Sequence, residues 1–313
     1  MAIHSRHGKS RQRGLGFLPL ACAALVASTP AAAQVRDGAD ELIRQQQRER
    51  ALQEREDKST DVRLERKAIS EDGNRLAQDE TPCFTINRLI LIGDSAERFQ
   101  WALQSADGAN DSPIGRCLGS TGINQLMKRV QNAIIQRGFI TTRVLAEPQD
   151  LKSGSLTLTL LPGRLRTIRF TPESGERATQ WTAFPMASGE LLNLRDIEQA
   201  LENLKRVPTA EADIQIVPSE ASDARPGDSD LVLSWRQAFP LRLTLAADNS
   251  GTRATGKEQG SITLSADNLL GMHDLFYLSL NHDLAGNNKQ RGTRGGTMHF
   301  SMPFGYWLLG LTH

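Results

Sequence analysis

Apolar and polar side chains alternate with a period of two along the last quarter of the chain, residues 240–312. Leu241 and Leu243 alternate with Arg242 and Thr244. Three further segments repeat the pattern: 261–267, 275–281 and 296–302. Because successive side chains of a strand point to opposite faces, each segment predicts a strand with one apolar and one polar face. The short spacing between the segments predicts strands that are joined as hairpins.

A helical period precedes these strands. Five apolar residues form one stripe in the segment 121–137: Ile123, Leu126, Met127, Val130 and Ile134. Ser120 or Thr121 can cap this predicted helix at its start, and Gly138 can end it.

The segments around this helix predict two similar α/β units. The first unit adds three strands and a short helix: strands 84–92, 140–146 and 155–161, and helix 96–105. Its order is strand, helix, helix, strand, strand. Residues 164–237 broadly repeat that order, with these elements: strand 165–170, a helix capped by Asn193, and strands 212–218 and 230–235. The first helix of this second unit is not clear from the sequence.

The chain begins with the pattern of a secretory signal peptide over residues 1–33. A basic start precedes an apolar core at 15–27, which is too short for a stable membrane-spanning helix. Three alanines at 31–33 supply a cleavage site. Lipid attachment at Cys22 is an alternative, although Pro19 stands where a lipoprotein signal carries Leu.

The segment 34–80 is dominated by Gln, Arg, Glu, Asp and Lys, and its first part, 40–58, predicts a helix that is polar nearly all round. Such a helix does not pack on an ordinary apolar core. It is either a solvated spacer or a polar helix that lies inside a water-filled barrel. At 1.5 Å per residue it would be about 28 Å long, close to the hydrocarbon thickness of a bilayer.

The predicted signal peptide indicates that the alternating strands lie outside the cytoplasm. A soluble sandwich also alternates, but the signal peptide, the hairpin spacing and the aromatic cluster of Phe304, Tyr306 and Trp307 favour the opening of an outer-membrane β-barrel. The units upstream then lie in the periplasm. The predicted fold class is α+β: two tandem β-α-α-β-β domains, followed by the first strands of an antiparallel transmembrane β-barrel.

Composition and motifs exclude several classes of function. A net charge of +1 and an aromatic content of 5% provide no field or stacking surface for nucleic acid. The six histidines lack metal-ligand spacing, and no nucleophile elbow is present. The glycine-rich stretch 291–296 precedes a strand and not a helix, unlike a phosphate loop. We predict no catalytic, metal or cofactor site.

Two cysteines, Cys83 and Cys117, remain after removal of the signal peptide. In an oxidising compartment an even pair predicts one disulfide. Two buried free thiols are the alternative.

Short motifs occur in a fixed order along the first unit: 83–86 (CFTI), 116–119 (RCLG), 136–144 (QRGFITTRV), 147–151 (EPQDL) and 162–164 (PGR). Together they resemble the first polypeptide-transport-associated (POTRA) domain of two-partner secretion transporters. These outer-membrane proteins export haemolysin, filamentous-haemagglutinin and contact-dependent-inhibition exoproteins. The second unit, with 194–199 (LRDIEQ) and 203–206 (NLKR), resembles their second POTRA domain, and 248–251 (DNSG) resembles the start of their barrel.

The resemblance implies a 16-stranded barrel, an N-terminal helix that plugs the pore, and two periplasmic POTRA domains that capture an unfolded client. It divides the mature chain into four parts: 34–80, 81–163, 164–238 and 239–313. The implied partners are a secreted exoprotein and outer-membrane lipid, with no nucleic acid, and the chain is expected to be a monomer. Client folding outside the cell would then drive export.

An unfolded client has unpaired backbone donors and acceptors, which an exposed sheet edge can bind. In this family the second strand of the POTRA sheet lies at an edge, and that strand corresponds here to 140–146. Thr141, Thr142, Arg143 and Val144 are therefore candidate contacts. The alternative is that these residues only build the sheet.

The barrel region departs from the family. About 74 residues remain from Pro240, enough for four or five strands, and the family's Val-Arg-Gly-Tyr loop motif is absent. The chain is therefore expected to be a fragment of a longer protein, or a truncated product that does not transport by itself. The alternatives are a barrel-assembly-type POTRA protein, a periplasmic adaptor that forms no pore, and an unrelated secreted β-domain enzyme.

Overall fold

The computed structural model describes seven ranges of the chain: 31–57, 62–64, 75–107, 111–175, 177–252, 256–284 and 294–313. Packing divides the chain into two compact units, Met1–Arg48 and Glu49–His313. Most of the predicted signal peptide, residues 1–30, lies outside the described ranges. Helix α1, Ala31–Glu56, begins in the first unit and ends in the second. No helix within the described ranges is both long enough and apolar enough to cross a membrane.

In the first α/β module, residues 75–163, the described residues form five strands and two α-helices: β1 Phe84–Ile86, β2 Arg88–Gly93, α2 Trp101–Ala106, β3 Arg116–Leu118, α3 Ser120–Gln136, β4 Arg143–Leu145 and β5 Ser155–Leu161. Its main sheet has the order β2-β5-β4, with β2 parallel and β4 antiparallel to the central strand. Strands β1 and β3 form a separate antiparallel pair. Leu126, Val130 and Ile134 of α3 are fully buried, as the apolar stripe predicts.

The first module differs from prediction at its beginning. The predicted strand 84–92 is divided at Asn87, where the backbone N–H groups of Asn87 and Arg88 both donate to the Gly154 carbonyl, at 2.7 and 3.1 Å. Two consecutive N–H groups cannot point to one side of a regular strand, so the chain turns there from the small sheet to the main sheet. The sequence did not predict β3, since three residues are too few for a visible alternation.

The second α/β module, residues 164–238, contains three strands and one helix: β6 Arg164–Phe170, α4 Leu194–Lys205, β7 Ala210–Pro218 and β8 Asp228–Gln237. The sheet order β6-β8-β7 repeats that of the first module. Asn193 caps α4 as predicted, and its side chain accepts from Arg195 N at 2.9 Å. Between β6 and α4 the described residues form turns and not the first helix of the predicted order, in a stretch interrupted by Pro172, Gly175 and Pro185.

Five strands follow as an antiparallel meander: β9 Leu241–Asp248, β10 Gln259–Asp267, β11 Leu275–Asp283, β12 Arg294–Phe304 and β13 Trp307–Thr312. Each strand pairs with the next, in the order β13-β12-β11-β10-β9. The hairpins predicted from the alternating pattern are therefore present in consecutive order. We call this element the meander sheet.

Candidate functional site

Burial in the meander sheet is inverted relative to a soluble protein. Leu243 and Leu245 are 66% and 69% exposed, whereas Thr263 and Ser265 are 1% and 0% exposed. Soluble proteins rarely expose a contiguous apolar face and bury the polar one. An apolar outer face with a polar inner face is the arrangement of a transmembrane barrel wall.

One row of polar side chains crosses all five strands on the inner face. The register places five residues side by side in this inner row: Arg242, Ser265, Tyr277, His299 and Thr312. Tyr277 stacks on His299 with ring centroids 4.9 Å apart. His299 Nδ1 lies 2.7 Å from Thr312 Oγ1. The row therefore places a polar side chain on each of the five strands, side by side on the inner face.

The last turn of α1 lies against the inner row. The Glu56 carboxylate is 2.8 Å from Arg242 Nη1 and accepts from Ser265 Oγ at 2.8 Å. Gln53 Nε2 lies 3.4 Å from Thr312 Oγ1. Glu56 is only 1% exposed, so the polar helix ends in a buried polar environment and not in solvent.

Arg242 is shared between two carboxylates. Its Nε and Nη2 donate to the two oxygens of Asp267 at 3.1 and 3.0 Å, while Nη1 contacts Glu56. Asp267 is fully buried and also accepts from the Thr209 N–H at 3.2 Å. Two buried carboxylates around one guanidinium require these extra donors, because buried charges are costly unless they are paired and hydrogen-bonded.

A second ion pair joins the end of α1 to the second module. Arg206, just after α4, donates through Nη2 to Asp57 at 2.7 Å and to Ser301 Oγ at 2.6 Å. Burial lowers the pKa of the Arg206 guanidinium, and the Asp57 carboxylate opposes that shift. Arg206 thus contacts both the helix end and strand β12.

The turns of the meander sheet rest on the second module. Asn203 Nδ2 donates to the Gly305 carbonyl at 2.7 Å, and the Tyr306 hydroxyl donates to Asp196. Burial and the neighbouring Asp196 carboxylate raise the pKa of Tyr306 above its ordinary value. His273, in the turn between β10 and β11, places Nε2 3.0 Å from the Thr179 carbonyl. The module and sheet are therefore joined by several separate contacts.

Strand β4 lies at an outer edge of the first module's sheet, where the candidate client contacts were predicted. The strand is shorter than the predicted 140–146. Thr142 and Val144 are 0% and 4% exposed, so they cannot offer their side chains to a partner. Thr142 Oγ1 accepts from Gly163 N at 3.0 Å. Thr141 is half-buried, and Arg143 is exposed, with its Nη1 donating to the Ile140 carbonyl at 2.8 Å and to the Thr142 carbonyl at 3.3 Å. Any partner would therefore contact mainly the backbone and Arg143.

Cys83 and Cys117 are joined in the structure, with Cα atoms 5.3 Å apart. Thr85 pairs with Cys117 across β1 and β3. The covalent link therefore lies at the small sheet that precedes α3.

No sequence pattern predicted the contacts of Glu56, Asp267 and Arg206. Glu56 contacts Ser265, which lies 209 residues away, and Arg206 contacts Asp57, which lies 149 residues away. No local pattern links such distant residues. The only signal was the unusual polarity of α1, which indicated a polar environment without naming its partners.

Three family models match the chain. Residues 84–163 match a ShlB-type POTRA domain, residues 164–218 match a POTRA domain, and residues 227–313 match the haemolysin secretion/activation protein ShlB/FhaC/HecB. These matches cover both α/β modules and the meander sheet.

Two curated relatives are outer membrane transporters. CdiB-2 of Burkholderia pseudomallei is 38% identical over 84% of this chain and 47% of its own length. CdiB of Dickeya dadantii is 38% identical over 74% of this chain and 40% of its own length. The chain thus spans about half the length of the curated relatives it matches.

The solved structure of CdiB from Acinetobacter baumannii superimposes with a TM-score of 0.73 at 25% identity, covering 92% of this chain and 53% of that one. The fold is therefore that of two tandem POTRA domains followed by the first strands of an antiparallel transmembrane barrel. This chain belongs to the ShlB/FhaC/HecB family of haemolysin secretion/activation proteins, and its two α/β modules are POTRA domains.

Proposed function

We propose that the protein captures an unfolded secreted protein through its periplasmic POTRA domains and exports it through an outer-membrane β-barrel. The inverted burial of the meander sheet carries this proposal, since its apolar face suits lipid and its polar face suits a hydrated lumen. The protein resides in the outer membrane, with the POTRA domains in the periplasm. The proposed client is an exoprotein of the haemolysin, haemagglutinin or contact-dependent-inhibition type.

Client capture is assigned to the edge strand β4. An extended client segment can add to a sheet edge by backbone hydrogen bonds, which do not depend on the client's sequence. The exposed Arg143 would supply charge selectivity beside that edge, while Thr141, Thr142 and Val144 hold the strand in place. Because the backbone of β4 provides the binding and Arg143 only the charge preference, one edge can accept many segments of a long unfolded chain.

The end of α1 is assigned a closing role. Glu56, Asp57 and Gln53 hydrogen-bond to Ser265, Arg206 and Thr312, respectively. Without the helix end, water or a passing chain would contact these polar groups. The inner row would present hydroxyl, imidazole and guanidinium groups to a hydrated chain. We infer that α1 plugs the lumen and leaves it when the client passes.

The capture step can be tested by site-specific photocrosslinking in the producing cells. A photoreactive amino acid replaces Arg143 on β4 or, as a matched control, Arg88, an exposed arginine on the opposite edge strand β2. The proposal expects adducts with a large secreted protein from position 143 and few from position 88. Adducts with outer-membrane β-barrel proteins instead would favour barrel assembly over secretion, and equal yields from both positions would contradict capture at β4.

A further inference from the structure

The outer edge of β4 is covered by a side chain of its own domain. Gln131, on α3, donates through Nε2 to the Thr142 carbonyl at 2.7 Å, and its Oε1 accepts from the Val144 N–H at 2.8 Å. Arg143 and Leu145 are the neighbouring residues whose backbone groups face β5, because N–H and C=O groups alternate sides along a strand. Gln131 therefore occupies two of the backbone groups that an added strand would need, and Arg143 Nη1 makes a longer contact of 3.3 Å to one of them, the Thr142 carbonyl.

A glutamine carboxamide carries one N–H donor and one C=O acceptor, the same pair as a peptide group. Gln149 makes a similar two-point contact on β5, with Nε2 to the Thr157 carbonyl and Oε1 to the Thr157 N–H, both at 2.7 Å. Strand β4 pairs only with residues 159–161 of β5. Gln149 thus fills a gap beside the central strand, whereas Gln131 covers the outer edge of the sheet.

We propose that Gln131 is a placeholder for the client: its carboxamide closes the β4 edge until an extended segment of the unfolded secreted chain replaces it as an added strand. This inference rests on the proposed capture of clients at β4. The exchange replaces two hydrogen bonds to the Gln131 carboxamide by two hydrogen bonds to a peptide backbone. Because the two pairs are similar in strength, the exchange is reversible. Gln131 is half-buried, and water can solvate its carboxamide after displacement. The closed edge would also resist pairing with the edge of a second copy.

The test compares Gln131→Ala with Gln149→Ala in the full chain in detergent micelles. The two variants are matched because each loses two hydrogen bonds between a glutamine and a strand backbone of the same sheet. The probe is reduced, carboxymethylated α-lactalbumin, which stays unfolded in buffer, and its binding is measured by fluorescence anisotropy. Gln131→Ala is expected to bind about tenfold more tightly than the wild type, because the carboxamide no longer has to leave the Val144 N–H and the Thr142 carbonyl. Gln149→Ala is expected to match the wild type.

Hydrogen exchange measured without the probe tests whether Gln131 covers the edge of β4. The Val144 amide should exchange faster in Gln131→Ala and remain unchanged in Gln149→Ala. If that amide is exposed but Gln131→Ala binds no more tightly than the wild type, the placeholder role is overturned while capture by the wild type stands. If none of the three proteins binds, both the placeholder and capture at β4 fail. An equal gain in both variants would also overturn the inference, since it would indicate general loosening.

Discussion

At the scale of single residues, the strongest interactions lie where the end of α1 meets the inner row. Arg242 contacts Glu56 and Asp267 at once, and both carboxylates are almost fully buried. Removing one partner from such a buried group leaves the others unsatisfied, which costs more than the pair contributes when intact. Glu56 is therefore the residue whose loss should loosen the helix end most.

Glu56→Gln should lower the free energy of local opening of residues 49–56 by about 2 kcal/mol, because a charged hydrogen bond contributes that much. Amide exchange there should become about 30-fold faster. Glu54→Gln is the matched control, since Glu54 lies two residues earlier in the same helix and is exposed. Equal acceleration in both variants, or none in either, would contradict the role assigned to Glu56.

Asp111 stabilises the first module in a pH-dependent way. Burial would raise the pKa of its carboxyl, but hydrogen bonds from Leu76 N, Arg129 and Arg116 together hold that pKa below its ordinary value. A depressed folded pKa contributes stability above the unfolded value of about 3.9, and this contribution is lost as the pH falls through the folded pKa. The first module should therefore lose stability in acid.

Asp111→Asn should destabilise the first module by about 2 kcal/mol at neutral pH, and the difference from the wild type should shrink below about pH 4. Urea unfolding followed by Trp101 fluorescence at several pH values measures this. Asp107→Asn, at an exposed aspartate in the same module, serves as the control. A difference that stays constant down to pH 2 would rule out the carboxylate as its source.

At the scale of elements, the Cys83–Cys117 link connects β1 to β3 ahead of α3. The segment that follows β3 begins the main helix of the first module. A crosslink across a sequence separation of 34 residues mainly restricts the unfolded chain. The link therefore compensates for the short strands of this small sheet.

Cys83→Ala/Cys117→Ala should lower the stability of the first module by about 4 kcal/mol, from the loop-closure entropy for that separation. Urea unfolding followed by Trp101 fluorescence measures the change. Addition of reductant should destabilise the wild type and leave the double variant unchanged. An effect of reductant on the double variant would show that another group is responsible.

The sequence predicted most elements because each carries its own period. The stripe of Leu126, Val130 and Ile134 marked α3, and the alternation around Leu243 marked the meander sheet. The prediction failed where tertiary contacts decide the structure, as at the break at Asn87, and the sequence left the segment between β6 and α4 unassigned. The candidate edge was placed at β4, but the covering by Gln131 could not be predicted, since a polar residue on a helix usually faces solvent.

At the scale of the whole molecule, the two POTRA domains meet where the C-terminal end of α3 contacts the N-terminal end of α4. The Gly138 carbonyl, after α3, accepts from Leu194 N at 2.9 Å, and Asn193 Nδ2 donates to the Arg137 carbonyl at 3.1 Å. The C-terminal carbonyls of one helix thus receive the N-terminal donors of the next, which suits the dipoles of both helices. Gly138 adopts φ +95°, and a Cβ there would lie 2.3 Å from Asn193 Oδ1.

Gly138→Ala should therefore open the contact and widen the distribution of distances between the domains. Double electron–electron resonance measures that distribution of distances between two spin labels. The labels replace the exposed Glu97 in the first domain and the exposed Glu211 in the second. Gly189→Ala is the matched control, because Gly189 has φ +90° but nothing within 4 Å of a Cβ. Broadening in both variants would indicate backbone strain and not the lost contact between domains.

The meander sheet joins the POTRA domains to the membrane through Asn203, Tyr306 and His273. These contacts place the β10–β11 and β12–β13 turns on the second domain. We expect the apolar face of this sheet to be in lipid and the polar face to be in the lumen. This arrangement depends on side-chain alternation, which can be measured residue by residue.

The most direct measurement is the accessibility of spin labels to oxygen and to a water-soluble nickel complex, with the protein in phospholipid vesicles. Labels replace four consecutive residues on each of the adjacent strands β9 and β10: Leu243, Thr244, Leu245, Ala246, Ile262, Thr263, Leu264 and Ser265. A barrel wall in lipid should give a period of two, with high oxygen and low nickel accessibility at Leu243, Leu245, Ile262 and Leu264. Uniform nickel accessibility, or maxima of oxygen accessibility at Thr263 and Ser265, would contradict it.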